Sequence, residues 1–322
     1  MLNLQNQILE LLSKDTNMKN LILLFLLLFT ITSQAQMYND SSFNANVVHP
    51  KFMKGYGPKI LIDAGHHNFL VEIGLIKPLF DVASSDGYQI KIDSMPFTKE
   101  YLSNYKLVVI MTAMPFKYGS KTQVTDEITF STDELNALHE WVTNGGSLLM
   151  FSEHAPLDKA VTPLFNKFGI QVSIGIVADF LNSDTTIIMP GWPQESFLKF
   201  TSTNGLLNTE HPITKGEKKN ERISNILTYG GGGLTGDGYT NIFKLSSSAI
   251  VKKWSGSIPS GTPNSQCLAG NVGKGKLVAL GDCNGFTAKN VKSGGYKLST
   301  GMHVSGYDWK QFVLNTLHWL SL

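Results

Sequence analysis

The chain has 322 residues, of which 42% are apolar and 16% charged, so it can bury a large core and is neither disordered nor collagen-like. Its length allows one large α/β domain or two small ones. The net charge of +2 gives no support to nucleic-acid binding, and a single arginine, Arg222, argues against an arginine-based phosphate site.

A short apolar segment lies near the N-terminus, at residues 21–31. It is shorter than the roughly 20 residues that a bilayer-spanning helix needs. Lys19 precedes it, and small residues, Ser33 and Ala35, follow it at positions −3 and −1 of a cut after Ala35, a pattern typical of a secretory signal peptide. We therefore expect export to the periplasm or the medium with no stable membrane anchor after cleavage, an upstream extension plus signal peptide over 1–35, and one domain over 36–322.

The first half of this domain alternates predicted strands and helices. Strands are predicted at 59–63, 88–92, 107–112, 147–152 and 170–176, and helices over 70–84, from 131–134 to 144–146, and over 157–168. Ser131 or Thr132 can cap the second helix, with acidic residues in its first turn. This alternation predicts a mainly parallel sheet with helices on both faces.

The second half has a different pattern. Residues 179–238 have a loop-like composition and end in a glycine-rich run that matches G-x-G-x-x-G at Gly231, Gly233 and Gly236. The strand–turn–helix context of a nucleotide site is missing, so we interpret the run as a mobile or substrate-flanking loop. Strands at 249–254, 266–271 and 276–281 predict an antiparallel C-terminal extension, and a closing helix is predicted over 308–320.

The two cysteines, Cys267 and Cys283, flank the predicted hairpin. If residues whose numbers sum to about 550 face each other, the geometry allows a disulfide. Two separate buried thiols are the alternative. Neither cysteine lies in a setting typical of a nucleophile.

Polar clusters follow three of the predicted strands. They are Asp63, His66, His67 and Asn68 after the first strand, Glu153 and His154 after the fourth, and Asp282 and Asn284 after the hairpin. Ligands of open α/β sheets bind outside the carboxyl ends of the strands, so the clusters are expected to converge on one rim. The alternative is that these side chains only cap loops by binding backbone donors.

Histidine and carboxylate side chains at such a rim predict general acid–base chemistry. They are also ordinary ligands of a divalent metal, although consecutive residues such as His66 and His67 tend to diverge. No G-x-S-x-G elbow is present. We expect no required cofactor, with a divalent metal as the alternative.

Positive charge is concentrated near the C-terminus. Residues 250–322 contain eight lysines and two aspartates, and the lysines, Lys289 among them, are interleaved with Tyr296 and Tyr307. A solvated lysine face is the default interpretation. The sharper hypothesis is a groove for an anionic ligand, with aromatic rings that lie against sugars.

Several stretches together resemble the class I glutamine-amidotransferase-like superfamily. They are residues 63–68, TDELNALHEWVTNGGSLLMFSEHAP at 132–156, residues 211–214, and GKGKLVALGDCNGFT at 273–287. The resemblance covers most of 36–322, is strongest to the exported ThuA-like branch, and implies a flavodoxin-like α/β fold. The elbow cysteine of true amidotransferases is absent, which argues against glutamine hydrolysis.

Relatives in this branch accompany unsaturated-glucuronyl hydrolases in polysaccharide-degrading bacteria. The resemblance therefore implies work on uronic-acid oligosaccharides such as those from ulvan. The chemistry missing beside such a hydrolase is a dehydratase, which removes the C5 proton of a terminal uronate and expels the C4 hydroxyl as water.

For this reaction we expect His67 or His154 as the base, Glu153 or His66 as the acid, and Lys289 as the group that binds the carboxylate. The remaining predicted substrate-binding residues are Asp63, Asn68, Asp282, Asn284 and Tyr296. The first alternative is a non-catalytic carbohydrate-binding or complex-forming protein. The second is an esterase or a glycosidase on the same polymer, the glycosidase pairing Glu153 with Asp63 or Asp282.

Overall fold

The computed structural model describes residues 36–120 and 128–322, so the predicted signal peptide lies outside the described residues. In chain order the strands are β1 Gln36–Asn39, β2 Lys59–Asp63, β3 Gln89–Asp93, β4 Leu107–Met111, β5 Ser147–Phe151, β6 Ile170–Val172, β7 Ile176–Ala178, β8 Lys199–Thr201, β9 Asn225–Leu227, β10 Leu234–Gly236, β11 Thr240–Lys244, β12 Ile250–Lys252, β13 Ser265–Val272, β14 Gly275–Leu280, β15 Ala288–Ser293 and β16 Tyr296–Gly301. The helices are α1 Phe69–Glu72, α2 Lys77–Ser85, α3 Lys99–Leu102, α4 Thr132–Thr143, α5 Leu157–Lys167, α6 Pro212–Lys215 and α7 Trp309–Ser321.

A mixed sheet forms the centre of the molecule. Its strands follow the order β3-β2-β4-β5-β14-β13-β10-β6, and β11 also pairs with β13. The first five strands are parallel and have the 2-1-3-4-5 order of flavodoxin-like doubly wound folds, whereas the remaining strands run antiparallel to their neighbours. The predicted α/β class with an antiparallel C-terminal extension is confirmed.

Helices cover both faces of the parallel strands, as the continuous apolar runs of β4 and β5 predict. Along β2, Ile60 and Ile62 belong to one core, together with side chains of α2 and α7. Leu61 points the other way and belongs to a second core with Leu138 of α4 and Val161 of α5. The strand period of two residues therefore divides the apolar side chains between two helical layers.

Helix α4 begins as its sequence predicts. The Ser131 hydroxyl accepts a hydrogen bond from the Glu134 backbone N–H at 3.2 Å, and the Glu134 carboxylate accepts one from the Ser131 N–H at 3.1 Å. This reciprocal capping box satisfies donors that the first turn leaves unpaired.

Two predicted elements are each divided in the structure. The helix predicted over 70–84 is α1 and α2, because Pro78 belongs to the first turn of a helix and the chain turns at Gly74 with φ of +72°. The strand predicted over 170–176 is β6 and β7, which lie in different sheets. Gly175, with φ of +125°, separates them.

Both cysteines are free, buried thiols. The hairpin pairs Cys267 with Leu280, so its register differs by three residues from the one that would bring Cys267 opposite Cys283. Cys283 lies beyond the end of β14, and that strand is parallel to β5 on its other side. The two cysteines are therefore the separate thiols of the alternative interpretation.

A three-stranded antiparallel sheet, β1-β15-β16, is an element that the sequence did not predict. Strand β1 pairs with β15 over Gln36–Asn39, and β15 pairs with β16 over its whole length. No helix within 36–120 and 128–322 has the length and apolar character needed to cross a bilayer.

The glycine-rich run is a buried segment against the carboxyl end of β14. The Gly232 N–H donates to the Gly281 carbonyl at 2.8 Å. A Cβ atom on Gly231 would lie 2.3 Å from that same carbonyl oxygen. The glycines at this point permit a close approach of two backbones, which is a packing role.

We therefore expect Gly231→Ala to destabilise the fold by at least about 1–3 kcal/mol, the usual range for overpacking, because the obstacle is backbone. The comparison variant is Gly232→Ala, whose Cβ would lie 3.2 Å from the Glu153 carbonyl oxygen, a tight contact but a longer one, so it should lose less stability than Gly231→Ala. Urea unfolding of both variants checks the prediction. Equal stability of Gly231→Ala and the wild type would contradict it.

Candidate functional site

One cavity of about 570 Å³ opens where β5 and β14 end. Its polar end is formed by Glu153, His154, Cys283, Asn284, Lys289 and Thr300. These residues come from the loops after β5 and β14 and from the small sheet β1-β15-β16. The cavity therefore lies where doubly wound folds place their ligands.

Glu153 is buried, with 4% of its surface exposed, at the floor of this cavity. One carboxyl oxygen, Oε2, accepts hydrogen bonds from Asn284 Nδ2 at 3.2 Å, from the Cys283 N–H at 3.3 Å and from Cys283 Sγ at 3.0 Å. The other oxygen, Oε1, accepts from the His154 N–H at 3.2 Å. Burial and the nearby charge of Asp282 raise the pKa of Glu153 to about 8, so the carboxyl is protonated at neutral pH.

His154 presents one ring nitrogen to the cavity. Its Nδ1 lies 2.9 Å from the Ala155 carbonyl oxygen and donates to it, which leaves the lone pair on Nε2. Nε2 lies 4.0 Å from Glu153 Oε1. Burial lowers the pKa of His154 to about 4, so at neutral pH an uncharged base stands beside a protonated acid.

Two tryptophans enclose the His154 ring. The ring centroids lie 5.2 Å from Trp192 and 5.0 Å from Trp254, and the two indoles are 4.8 Å apart. Both tryptophans line the cavity. They offer apolar faces against which a sugar ring can pack.

Asp282 and Asn284 are brought to the same place as Glu153. Asn284 donates to Asp282 Oδ1 from its backbone N and from Nδ2, each at 2.7 Å, and the Tyr229 N–H donates to Oδ2. Asp282 is buried behind the cavity wall and Asn284 lines the cavity. Asp282 therefore positions Asn284 and does not face a ligand.

Lys289 brings a buried positive charge to the cavity from β15. Lys289 is 6% exposed and lies opposite Thr300 in the register of β15 and β16. Its positive charge favours the ionised forms of Glu153, Asp282 and Cys283 and so opposes the rise in their pKa values. Among the described residues Lys289 forms no ion pair, so its charge is available to an anionic ligand.

The first predicted cluster forms a separate network. His66 Nδ1 lies 3.0 Å from Asp63 Oδ2, and His66 Nε2 lies 3.2 Å from Glu134 Oε1. Asn68 donates to Asp63 at 2.7 Å and accepts from the Met111 N–H at 2.5 Å. Burial opposes the charged form of His66, but Asp63 and Glu134 outweigh it and raise its pKa. Both ring nitrogens are occupied, so these residues hold loops together.

His67 and Tyr296 also lie outside the cavity lining. The His67 side chain is 42% exposed, and its Nδ1 lies 2.7 Å from Glu72 Oε1. The His67 backbone has φ of +43°. Tyr296 begins β16 at the hairpin, with 46% of its surface exposed. All three clusters follow carboxyl ends of strands in the same parallel sheet, but only two of them meet Lys289 at the cavity. The cavity lining does not include Asp63, His66, His67 or Asn68.

Four further residues line the cavity that no sequence pattern singled out as site residues, namely Trp192, Trp254, Tyr229 and Cys283. The motif around Trp192, PGWP, is a turn signal and could have pointed to a loop that carries an aromatic side chain. Cys283 lies just after β14, which is parallel to β5. Burial and Glu153 raise its pKa, which keeps the thiol protonated and unsuited to nucleophilic attack.

Metal binding has no ready-made site in the part of the chain that the structure describes. Within 36–120 and 128–322, no group of three or more His, Cys, Asp or Glu side chains is arranged to hold an ion.

Comparisons with known proteins concern the fold. No family model and no curated protein matches the chain. Among solved structures, the mmIFT52 N-terminal domain is similar with a TM-score of 0.56 and 16% identity, over 82% of this chain and 97% of that one. ThuA-like proteins are also similar. The one from Bacteroides uniformis has a TM-score of 0.44 and 13% identity, over 84% of this chain and 95% of that one. The one from Parabacteroides merdae has 0.43 and 13%, over 82% and 90%. The similarity to the mmIFT52 domain supports the α/β fold that the strand order establishes.

The raised pKa of Glu153 predicts a pH dependence of stability. The unfolded chain releases this proton near the ordinary value of 4.5, whereas the folded chain keeps it until about pH 8. Between these values the folded state binds more protons, so Glu153 lowers the free energy of unfolding by about 1.4 kcal/mol per unit of rising pH. Glu153→Gln removes this slope, and the variant should gain stability relative to the wild type as the pH rises through the window.

Urea unfolding at several pH values measures this difference. Glu210→Gln is the control, because its side chain is 83% exposed. Parallel stability curves for Glu153→Gln and the wild type between pH 5 and pH 8 would show that Glu153 ionises normally in the folded state.

Proposed function

We propose that the protein is a carbohydrate-active dehydratase, a carbon–oxygen lyase. It eliminates water from the non-reducing terminal uronic acid of anionic, ulvan-type oligosaccharides and leaves an unsaturated uronate. The observation that carries the proposal is the pair Glu153 and His154, both uncharged at neutral pH, in one cavity with the buried cation of Lys289. The proposal includes export, in keeping with the signal-like pattern before residue 36.

The elimination needs one base and one acid. His154 Nε2 takes the proton from C5 of the uronate, and the electron pair of that C–H bond forms the C4–C5 double bond. The C4–O4 bond breaks, and Glu153 gives its proton to O4, which leaves as water. His154 is then an imidazolium and Glu153 a carboxylate, with Nε2 and Oε1 4.0 Å apart. Transfer of the proton from His154 to Glu153 restores the starting protonation states of both residues.

Lys289 makes the C5 proton acidic enough to remove. Its ammonium group binds the substrate carboxylate and stabilises the negative charge that develops there as the C5–H bond breaks. The bound carboxylate also brings a negative charge towards His154, which raises the pKa of the base when substrate is present. Trp192 and Trp254 hold the sugar ring against the base.

The competing functions fit this cavity less well. A glycosidase needs two carboxyl groups beside the substrate. Among the described residues, Glu153 is the acidic side chain that lines the cavity, whereas Asp282 lies behind the wall and Asp63 belongs to the separate network. A binding protein would use Trp192, Trp254 and Lys289 without turnover.

Incubation of residues 36–322 with saturated, uronate-ended oligosaccharides tests the proposal. We expect the ultraviolet absorbance of a conjugated unsaturated uronate and a product lighter by one water. Glu153→Gln and His154→Gln should each lower kcat by roughly 10²–10⁴-fold. The matched controls Glu210→Gln and His139→Gln should keep wild-type rates.

Mass spectrometry separates the alternatives in the same experiment. A gain of one water would indicate a hydrolase, and binding with no mass change would indicate a carbohydrate-binding protein. Full activity of His154→Gln, or its loss in His67→Gln instead, would contradict the assignment of the base.

The pH profile of kcat/KM gives a second prediction. This ratio reports the free enzyme, in which His154 must be neutral and Glu153 protonated. We expect a plateau between about pH 4 and pH 8, with the acid limb set by His154 and the alkaline limb by Glu153. The residual activity of Glu153→Gln should lose the alkaline limb only. An unchanged alkaline limb in that variant would contradict the role of Glu153.

A further inference from the structure

The small sheet β1-β15-β16 presents one face to the cavity in ordered rows. Lys289 of β15 lies opposite Thr300 of β16, and two residues further along β15, Val291 lies opposite Met37 of β1 and Leu298 of β16. All five side chains line the cavity. The wall therefore has a polar row, Lys289–Thr300, then an apolar row, Met37–Val291–Leu298, with Ser293 beyond it at the end of β15.

The strand geometry sets the distance between the two rows. Residues i and i+2 of a strand point to the same face and are about 7 Å apart. An anion bound at Lys289 thus has the apolar row about 7 Å away, a separation that a pyranose ring together with its substituents bridges. Within the described lining, Lys289 is the sole cation, so the anion has one place to bind and the ligand one orientation along the wall.

The apolar row has a ligand-facing surface that the protein itself leaves open. Leu298 is 9% exposed, and Met37 and Val291 are partly buried against the main core. A fully hydroxylated sugar placed over this row would lose water from its hydroxyl groups without gaining hydrogen bonds from three hydrocarbon side chains. An apolar group in the same place gains from burial.

We propose that Met37, Val291 and Leu298 form an apolar subsite, and that the unit on the reducing side of the uronate turns an apolar edge, a methyl group or a C–H face, towards this row. The inference rests on the proposed function and adds the chemical class of the aglycone. Lys289 holds the carboxylate, the uronate ring spans the distance between the rows, and the aglycone covers Val291. The subsite sets specificity and takes no part in proton transfer.

Calorimetric binding of three small glycosides tests the subsite directly. We use the Glu153→Gln variant, which lacks the proton donor, so that turnover does not disturb the measurement. Phenyl β-glucuronide should bind at least tenfold more tightly than methyl β-glucuronide, since each buried methylene equivalent contributes roughly fourfold. Phenyl β-glucoside, which lacks the carboxylate, should bind at least tenfold more weakly than phenyl β-glucuronide.

Val291→Thr in the same background keeps a β-branched shape but replaces a methyl with a hydroxyl group. It should reduce the preference for phenyl over methyl glucuronide at least threefold, because the larger aglycone covers more of the Val291 side chain. Val251→Thr is the matched control, a partly buried strand residue of β12 outside the cavity, and should change neither affinity.

Any of four results would overturn the inference. They are equal affinity for the phenyl and methyl glucuronides, an unaffected preference in Val291→Thr, equal binding of the neutral glucoside, and no binding of any glucuronide. Its failure is distinguishable from failure of the proposed function. Tight, Val291-dependent binding with no unsaturated product from the wild type refutes the lyase and keeps the subsite. Unsaturated product formed equally well from both glucuronides keeps the lyase and refutes the subsite.

Discussion

The carboxyl group of Glu153 is held out of water at the end of β5 by donors that are themselves uncharged. A backbone N–H, a thiol and an amide bind Oε2, and the cation of Lys289 acts on the group without an ion pair among the described residues. Hydrogen bonds of this kind orient a carboxyl group, but they stabilise its ionised form by less than burial and the charge of Asp282 destabilise it. The proton therefore stays on Glu153, and the same burial keeps His154 neutral.

The parallel arrangement of β5 and β14 creates this environment. Their register places Phe151 beside Leu280, so the loops that follow both strands begin at the same level. Residues about 130 positions apart in the chain, Glu153 and Asn284, are thus brought into hydrogen-bond contact. The close approach of the glycine-rich run to Gly281 fixes the end of β14 from the other side, and the small sheet adds Lys289.

Much of this arrangement follows from local sequence patterns. The apolar runs of β2, β4 and β5 and the capping box of α4 predict the doubly wound core, because these signals depend on neighbours in sequence. The grouping of Glu153, His154, Asn284 and Lys289 was also predicted, from strand ends and from charge. In the sequence, the cluster of Asp63 and His66 looks like the cluster of Glu153 and His154, because both follow a buried strand. The sequence pattern cannot show that Glu134, from a distant helix, contacts the second ring nitrogen of His66.

Other features depend on contacts that no local pattern records. Strand β1 pairs with β15 some 250 residues later, so the small sheet and its two rows were invisible in the sequence. Trp192 and Trp254 come from irregular segments and meet only around His154. The hairpin register differs by three residues from the one that a disulfide needs, so Cys267 lies opposite Leu280. Cys283 contacts Glu153 instead.

The paired protonation states of Glu153 and His154 are tested most directly by an NMR titration of the free protein, with ¹³C label in the Glu153 carboxyl group and ¹⁵N label in the His154 ring. We expect the Glu153 carboxyl group to stay protonated through pH 7 and to titrate near pH 8, and the His154 imidazole to stay neutral with its proton on Nδ1 over the same range. A Glu153 signal already ionised at pH 6, or an imidazolium signal from His154 at pH 7, would contradict the pairing of acid and base on which the proposed reaction depends.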